Sequence, residues 1–355
     1  MKLHDVPSDE SIIDVPVTGR ALWRSGDCES THWIWHFETD ELAELDAALR
    51  RVQRHGLALG QFGRDDFPLP ALGTKLAAIR NELVEGVRFA LIRNLPVERY
   101  SVSELELLFW GIGSHIGSGI VQNAAGALLT HVTHHNLDPK NPHIRGYQDR
   151  RRQEPHNDLA DVVGLLCVRK ARSGGESSIV NSYAIYNEFL RHRPDLLHVC
   201  YRGFHLDYRG EGDDPNATTS YRIPLFSSLA GKLFVFYGRR GIEAAMKKRG
   251  EQAAADERAA LDLLDQIIAE KDLRLDMQLE PGDTQFVNNY SVLHARTAYE
   301  DYPDPQRWRL LLRLWLNLPE IQLPSRLARF TRAGFGELAP AQKRMDEAAA
   351  SPPET

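Results

Sequence analysis

Apolar positions in residues 40–55 recur at helical spacing (Leu42, Leu45, Ala48, Leu49 and Val52), which predicts an amphipathic helix ended near Gly56. Residues 73–86 read as a second helix. The apolar run Val87-Arg88-Phe89-Ala90-Leu91-Ile92 then reads as a strand, stopped by Asn94-Leu95-Pro96. Ser101 or Ser103 is placed to cap a third helix through Leu105, Leu108 and Trp110 to Gly113. Residues 1–40 show neither period and read as irregular, with an aromatic cluster at Trp33-Ile34-Trp35. From about residue 118 the pattern changes to short apolar runs broken by Gly, Pro and Asn: Val162–Val168, Leu233–Tyr237, Thr284–Val287 and Leu310–Leu316. Helical stretches interrupt them at 183–195 and at Gly241–Glu270.

Many short strands with helices before and between them predict a mainly β fold with α: a double-stranded β-helix, or jelly roll, with N-terminal helices and a helical insertion. Propensity alone does not choose it over another sandwich. The expected organisation is an N-terminal helical and irregular extension (1–84) packed on a jelly-roll domain (85–330). The insertion falls at about 240–272, and a C-terminal tail (331–355) follows, frayed at Ala348–Thr355.

Composition narrows the partners. The chain has 355 residues, 42% hydrophobic and 26% charged, enough for a sizeable core. A formal charge of −6 and a pI near 6.2 point away from nucleic acid and from an anionic membrane surface. No apolar run approaches the about 18 residues that span a bilayer. The start, Met1 to Pro7, lacks an apolar signal core. Cys28, Cys167 and Cys200 are too widely spaced for a disulfide framework or a zinc pattern, and Cys167 lies in an apolar run. A cytoplasmic protein acting on a small molecule is expected. Whether it forms a homo-oligomer is left open.

The chemistry lies in two distant segments. Pro155-His156-Asn157-Asp158 contains H-x-D, whose side chains in an extended segment project to one side. A third ligand must come from another strand, and His294, after an apolar run and the Pro281-Gly282-Asp283 turn, is the best candidate. Two imidazoles and a carboxylate form the facial triad of non-haem Fe(II) oxygenases. Arg309 and Arg313 share one face of a strand whose other face is Leu310, Leu312, Leu314 and Leu316. Two charges there are costly unless paired, and arginine's fork suits a carboxylate, from a bound acid or from a structural Asp or Glu.

With Ser173-Gly174-Gly175-Glu176-Ser177 added, this ordered set resembles the taurine dioxygenase-like (TauD/TfdA) family of Fe(II)/2-oxoglutarate-dependent dioxygenases, over roughly residues 85–320. The branch typified by clavaminate synthase-like amino-acid oxygenases is most similar. The resemblance implies that His156, Asp158 and His294 ligate Fe(II) and that Arg309 binds the distal carboxylate of 2-oxoglutarate. It implies a co-substrate contact for Ser177, where the family often has Thr. Arg313 would meet an acidic group of the substrate, although the two arginines could exchange roles. Gln122 and Asn123 fall where pocket residues lie in this branch. The implied reaction uses O2 and 2-oxoglutarate to hydroxylate or desaturate a small molecule, an amino acid or other small carboxylate, releasing succinate and CO2. Halogenating relatives lack the carboxylate that Asp158 supplies here. The polar stretch Asp207–Tyr221 is a candidate lid, and its Asp207, Asp213 and Asp214 could meet a basic amine. Two other readings keep the fold: a three-ligand zinc hydrolase, and a non-catalytic, cupin-like binding module.

Overall fold

The N-terminal helices form where the apolar stripes lie. The structure is a computed structural model that describes residues 11–28, 30–136, 145–211, 214 and 216–338. Ile34–His36 (β1) leads into Thr39–Arg54 (α1), which buries Leu45, Ala48, Leu49 and Val52. Leu72–Glu85 (α2) and Phe89–Arg93 (β2) follow. Val102–Ile116 (α3) starts at Ser101, whose hydroxyl accepts from the Glu104 N–H at 3.2 Å. Glu104 returns the bond to the Ser101 N–H at 2.9 Å, a reciprocal capping box that selects Ser101 over Ser103. The Trp33–Trp35 region is partly strand, not irregular. β1 pairs in parallel with β2, Ile34 opposite Leu91, and three residues are too few to show a period.

The later chain runs Ser118–Gly119 (β3), Leu129–Val132 (β4), Gln153–His156 (β5), Val162–Arg169 (β6), Ser173–Gly174 (β7) and Ser177–Asn181 (β8). Ser182–His192 (α4) and Leu197–Arg202 (α5) precede the hairpin Phe226–Leu229 (β9) and Lys232–Val235 (β10). The helices Arg239–Arg249 (α6) and Ala255–Ile268 (α7) come next. Arg274–Met277 (β11), Thr284–Asn288 (β12), Val292–Arg296 (β13), Tyr299–Glu300 (β14), Leu310–Asn317 (β15) and Ser325–Leu338 (α8) complete the described chain.

Two sheets share a core. The larger has the order β1-β2-β12-β6-β15-β3, with β4 also on β15; the smaller is β11-β8-β13-β5. Phe89, Val163, Val287, Leu311 and Trp315 from the larger sheet pack with Ile179, Val292 and Met277 from the smaller. The opposite face of β15, Leu310, Leu312, Leu314 and Leu316, joins the cluster that holds Leu45, Leu72 and Leu108 of the N-terminal helices. β15 therefore alternates as its sequence predicts, but both faces are buried, so Arg309 and Arg313 face protein and not water. Cys167 is a buried free thiol.

Two expectations need correction. Helix exceeds strand, 36% against 22%, so the protein is mixed and not mainly β. Ser325–Leu338 is a helix, where a tail from 331 was expected. It docks because Leu327 and Phe330 enter the core and Arg332 pairs with Asp161 at 2.8 Å. The chain start, Asp213 and Ala348–Thr355 lie outside the described residues. Among the described residues, no helix is long and apolar enough to cross a membrane.

Asp161 is fully buried, and burial pushes its carboxyl up to about 6. It accepts from the Leu318 N–H (2.8 Å), Tyr290 (3.2 Å) and Arg332. Asp161→Ala leaves these donors unpaired and is expected to cost about 3 kcal/mol. Urea unfolding of the variant against the parent measures this.

Candidate functional site

Strand register brings the two histidines together. β13 pairs antiparallel with β5, with His294 opposite His156, and the rings lie 4.5 Å apart between centroids. His156 Nδ1 lies 2.8 Å from the Glu154 carbonyl. That bond requires the proton on Nδ1 and leaves Nε2 a lone pair. Burial lowers the pKa of both imidazoles, that of His294 to about 3, so both are neutral at physiological pH.

Asp158 lies beyond the end of β5, on a buried connection and not within the strand. Two asparagines hold that connection. Asn157 donates to the carbonyls of Asn289 and Val292, and its own oxygen accepts from the Tyr237 N–H at 2.7 Å. Asn289 accepts from the Asp158 N–H at 2.9 Å and donates back to the carbonyls of Asp158 and Ala160. The Asp158 carboxylate accepts through Oδ2 from Arg313 (2.9 Å) and from Trp315 Nε1 (3.0 Å). Burial opposes its ionisation, but the Arg313 guanidinium, helped by the Trp315 N–H, outweighs burial and holds the carboxyl well below the usual range. His156, Asp158 and His294 each offer one ligand atom, all within 4.8 Å of one another. One anionic oxygen and two neutral imidazoles suit a divalent transition metal.

A small cavity beside the triad is lined by His294, Ser177, Arg296 and Arg309. Arg309 is 4% exposed, its Nη1 is buried without a hydrogen-bond partner, and burial lowers its pKa. Its backbone N–H is held by Asp301 at 2.8 Å. Gly175 lets the guanidinium in: its φ is +78°, and a Cβ there would lie 3.1 Å from Arg309 Nε. The Gly-Gly-Glu-Ser turn is fastened to Thr297, which accepts from the N–H groups of Gly175 and Glu176 at 3.0 Å. Ser177 lies in this cavity, and its hydroxyl is 3.5 Å from Gln285 Oε1.

Other expected residues take different positions. Arg313 is bound to Asp158, and its Nε donates to Gln122 Oε1 at 2.9 Å. Gln122 lines neither cavity beside the triad; it fixes Arg313, also donating to the Arg313 carbonyl at 2.8 Å. Asn123 likewise lines neither, because its side chain accepts from the Ala127 N–H in a local turn. Both were expected among the substrate-binding residues, and neither lines a cavity beside the triad. Asp207 faces the larger cavity but is paired with Lys248 at 2.6 Å, and Asp214 caps a turn at Asn216. The acidic reception of an amine is therefore absent among the described residues. Arg296 was missed, although alternation from His294 places it on the same strand face. Asn157 and Asn289 were missed inside the motifs themselves.

Residues 41–315 match the family described as "Taurine catabolism dioxygenase TauD, TfdA family". The chain belongs to the TauD/TfdA dioxygenase family. The match starts within α1, earlier than residue 85, so it takes in α1 and α2. FR-33289 synthase of Streptomyces rubellomurinus is 32% identical over 312 residues, covering 86% of this chain and 92% of that protein. Taurine hydroxylase-like protein SAT17 of Stachybotrys chartarum is 32% identical over 285 residues, covering 77% and 72%. An asparagine oxygenase solved with Fe(II), 3-hydroxyasparagine and succinate shares the fold, with a TM-score of 0.62 at 15% identity over 80% of this chain and 93% of that one. As a TauD/TfdA member, the protein is an Fe(II)- and 2-oxoglutarate-dependent dioxygenase that also consumes O2.

The asparagine clamp gives a test specific to this site. Asn289→Ala frees the Asp158 connection and is expected to weaken Fe(II) affinity about 10- to 100-fold. Anaerobic Fe(II) titration of the folded variant checks it.

Proposed function

We propose that His156, Asp158 and His294 hold the Fe(II), and that Arg309 binds the distal carboxylate of 2-oxoglutarate in the small cavity. The observation that carries this reading is the buried guanidinium without a carboxylate partner beside three convergent ligand atoms. An isolated buried cation is costly, and a dicarboxylate entering the cavity supplies its partner. Ser177 adds a hydroxyl to the same wall, and Arg296 adds positive charge. Bound at this site, the iron together with 2-oxoglutarate and O2 supplies the oxidising power to break an unactivated C–H bond, releasing succinate and CO2.

The chain's own groups set the conditions for that chemistry. Both imidazoles present lone pairs without first losing a proton. Arg313 and Trp315 occupy Asp158 Oδ2, which leaves Oδ1 as its open ligand atom. A carboxylate at 158 favours hydroxylation or desaturation over halide transfer. The larger cavity offers Leu159, Leu206, Phe236 and Phe330 as apolar wall beside His156 and Asp158, against which the carbon chain of a small-molecule substrate would pack. We read the two facing sheets as a double-stranded β-helix spanning 85–330, with α6 and α7 as its helical insertion.

The experiment is O2-dependent conversion of 2-oxoglutarate to succinate; a zinc hydrolase or a binding module would form none. Arg309→Ala should raise KM for 2-oxoglutarate about 100-fold and leave Fe(II) affinity unchanged. An unchanged KM would refute the role given to Arg309.

A further inference from the structure

The larger cavity carries positive charge that the protein itself does not neutralise. Of the arginines lining it, Arg313 is paired with Asp158 and Arg145 with Glu211. Arg239 is spread over Glu243, Asp262 and Asp265. Of the remaining lining acids, Asp207 is taken by Lys248 and Glu154 by Arg152. Arg209 and Arg240 are left with no carboxylate partner among the described residues. Arg209 is held there by a left-handed backbone, φ 58°, with its N–H on Asp207 Oδ1 at 2.8 Å. Burial, then Arg145 and Arg240, lower its pKa to about 10. Close to Arg240, the start of α6 lines the same cavity. Its N-cap is Gly238, with no side-chain cap; the Gly241 N–H donates to the Gly238 carbonyl at 3.0 Å, which leaves the N–H groups of Arg239 and Arg240 for an acceptor.

We propose that this cavity binds the phosphoryl head of its substrate, a phosphonate or a phosphate monoester, between Arg209, Arg240 and the first turn of α6. The carbon chain then runs along Phe236 and Leu159 toward His156 and Asp158. The inference rests on the triad being the reaction centre. Two free guanidiniums and a helix N-terminus match a group with about two negative charges and three acceptor oxygens. A carboxylate supplies half that charge, and an amine is repelled.

The test is calorimetric titration under anaerobic conditions of the full chain, with Fe(II) and 2-oxoglutarate and again without Fe(II). The probes are propylphosphonate, ethyl phosphate, propane-1-sulfonate and butyrate. One phosphoryl probe should bind at least about 10-fold tighter than the sulfonate and the carboxylate, and the two phosphoryl arms decide between phosphonate and ester. Arg240→Ala, at an exposed position, and Arg209→Ala should each remove about 10-fold of that affinity while leaving 2-oxoglutarate binding intact. Equal affinity for all four probes, no phosphoryl binding, or variants that bind like the parent overturns the proposal. A phosphoryl preference without O2-dependent succinate formation would instead sink the reaction centre and leave the anion site standing.

Discussion

The buried contact between Arg313 and Asp158 organises the site. Asp158 sits on a buried connection, not in a strand. Alone there, its carboxyl would be driven toward protonation. The guanidinium of Arg313, held in turn by Gln122, keeps it ionised and engages one of its two oxygens. The pair ties the connection after β5 to β15 in the larger sheet, and the β5–β13 register places His156 and His294 opposite each other in the smaller one. The three ligand atoms therefore converge only when both sheets are packed.

The remaining arginines give the site its polarity. Tyr147, Gln153, His156 and Arg313 line both cavities, so they form the wall between the two. Behind that wall stands Arg309, in front of it Arg209 and Arg240, all without carboxylate partners among the described residues. Such charges weaken the folded state until an anion arrives. In the proposed reading one acid binds on each side of the metal, and binding of either would neutralise charge that the fold leaves exposed to the cavity.

Much of this was legible because it was local. The 3.6-residue spacing located α1, a serine cap before Leu105, Leu108 and Trp110 located α3, and the two-residue period of a strand put Arg309 and Arg313 on one face. What failed depended on partners distant in the chain. β1 exists because β2 offers it an edge. α8 exists because the core accepts Leu327 and Phe330. Arg313 was expected to meet substrate or a structural acid; alternation shows only the face, and the fold brings Asp158 there as the acid it meets. Gln122 and Asn123 line neither cavity: the fold sets Gln122 behind Arg313 and turns Asn123 into a local turn.

The sequence by itself determined the ligand types, their order and the residues of the Gly-Gly turn that admit Arg309, because these follow from side-chain chemistry and from backbone conformations that only glycine adopts readily. Only the tertiary structure decided which arginines are spent and which are free. A guanidinium's role depends on whether a carboxylate lies within a few ångströms of it, and that distance is set by how the two sheets and α6 pack, not by any spacing along the chain.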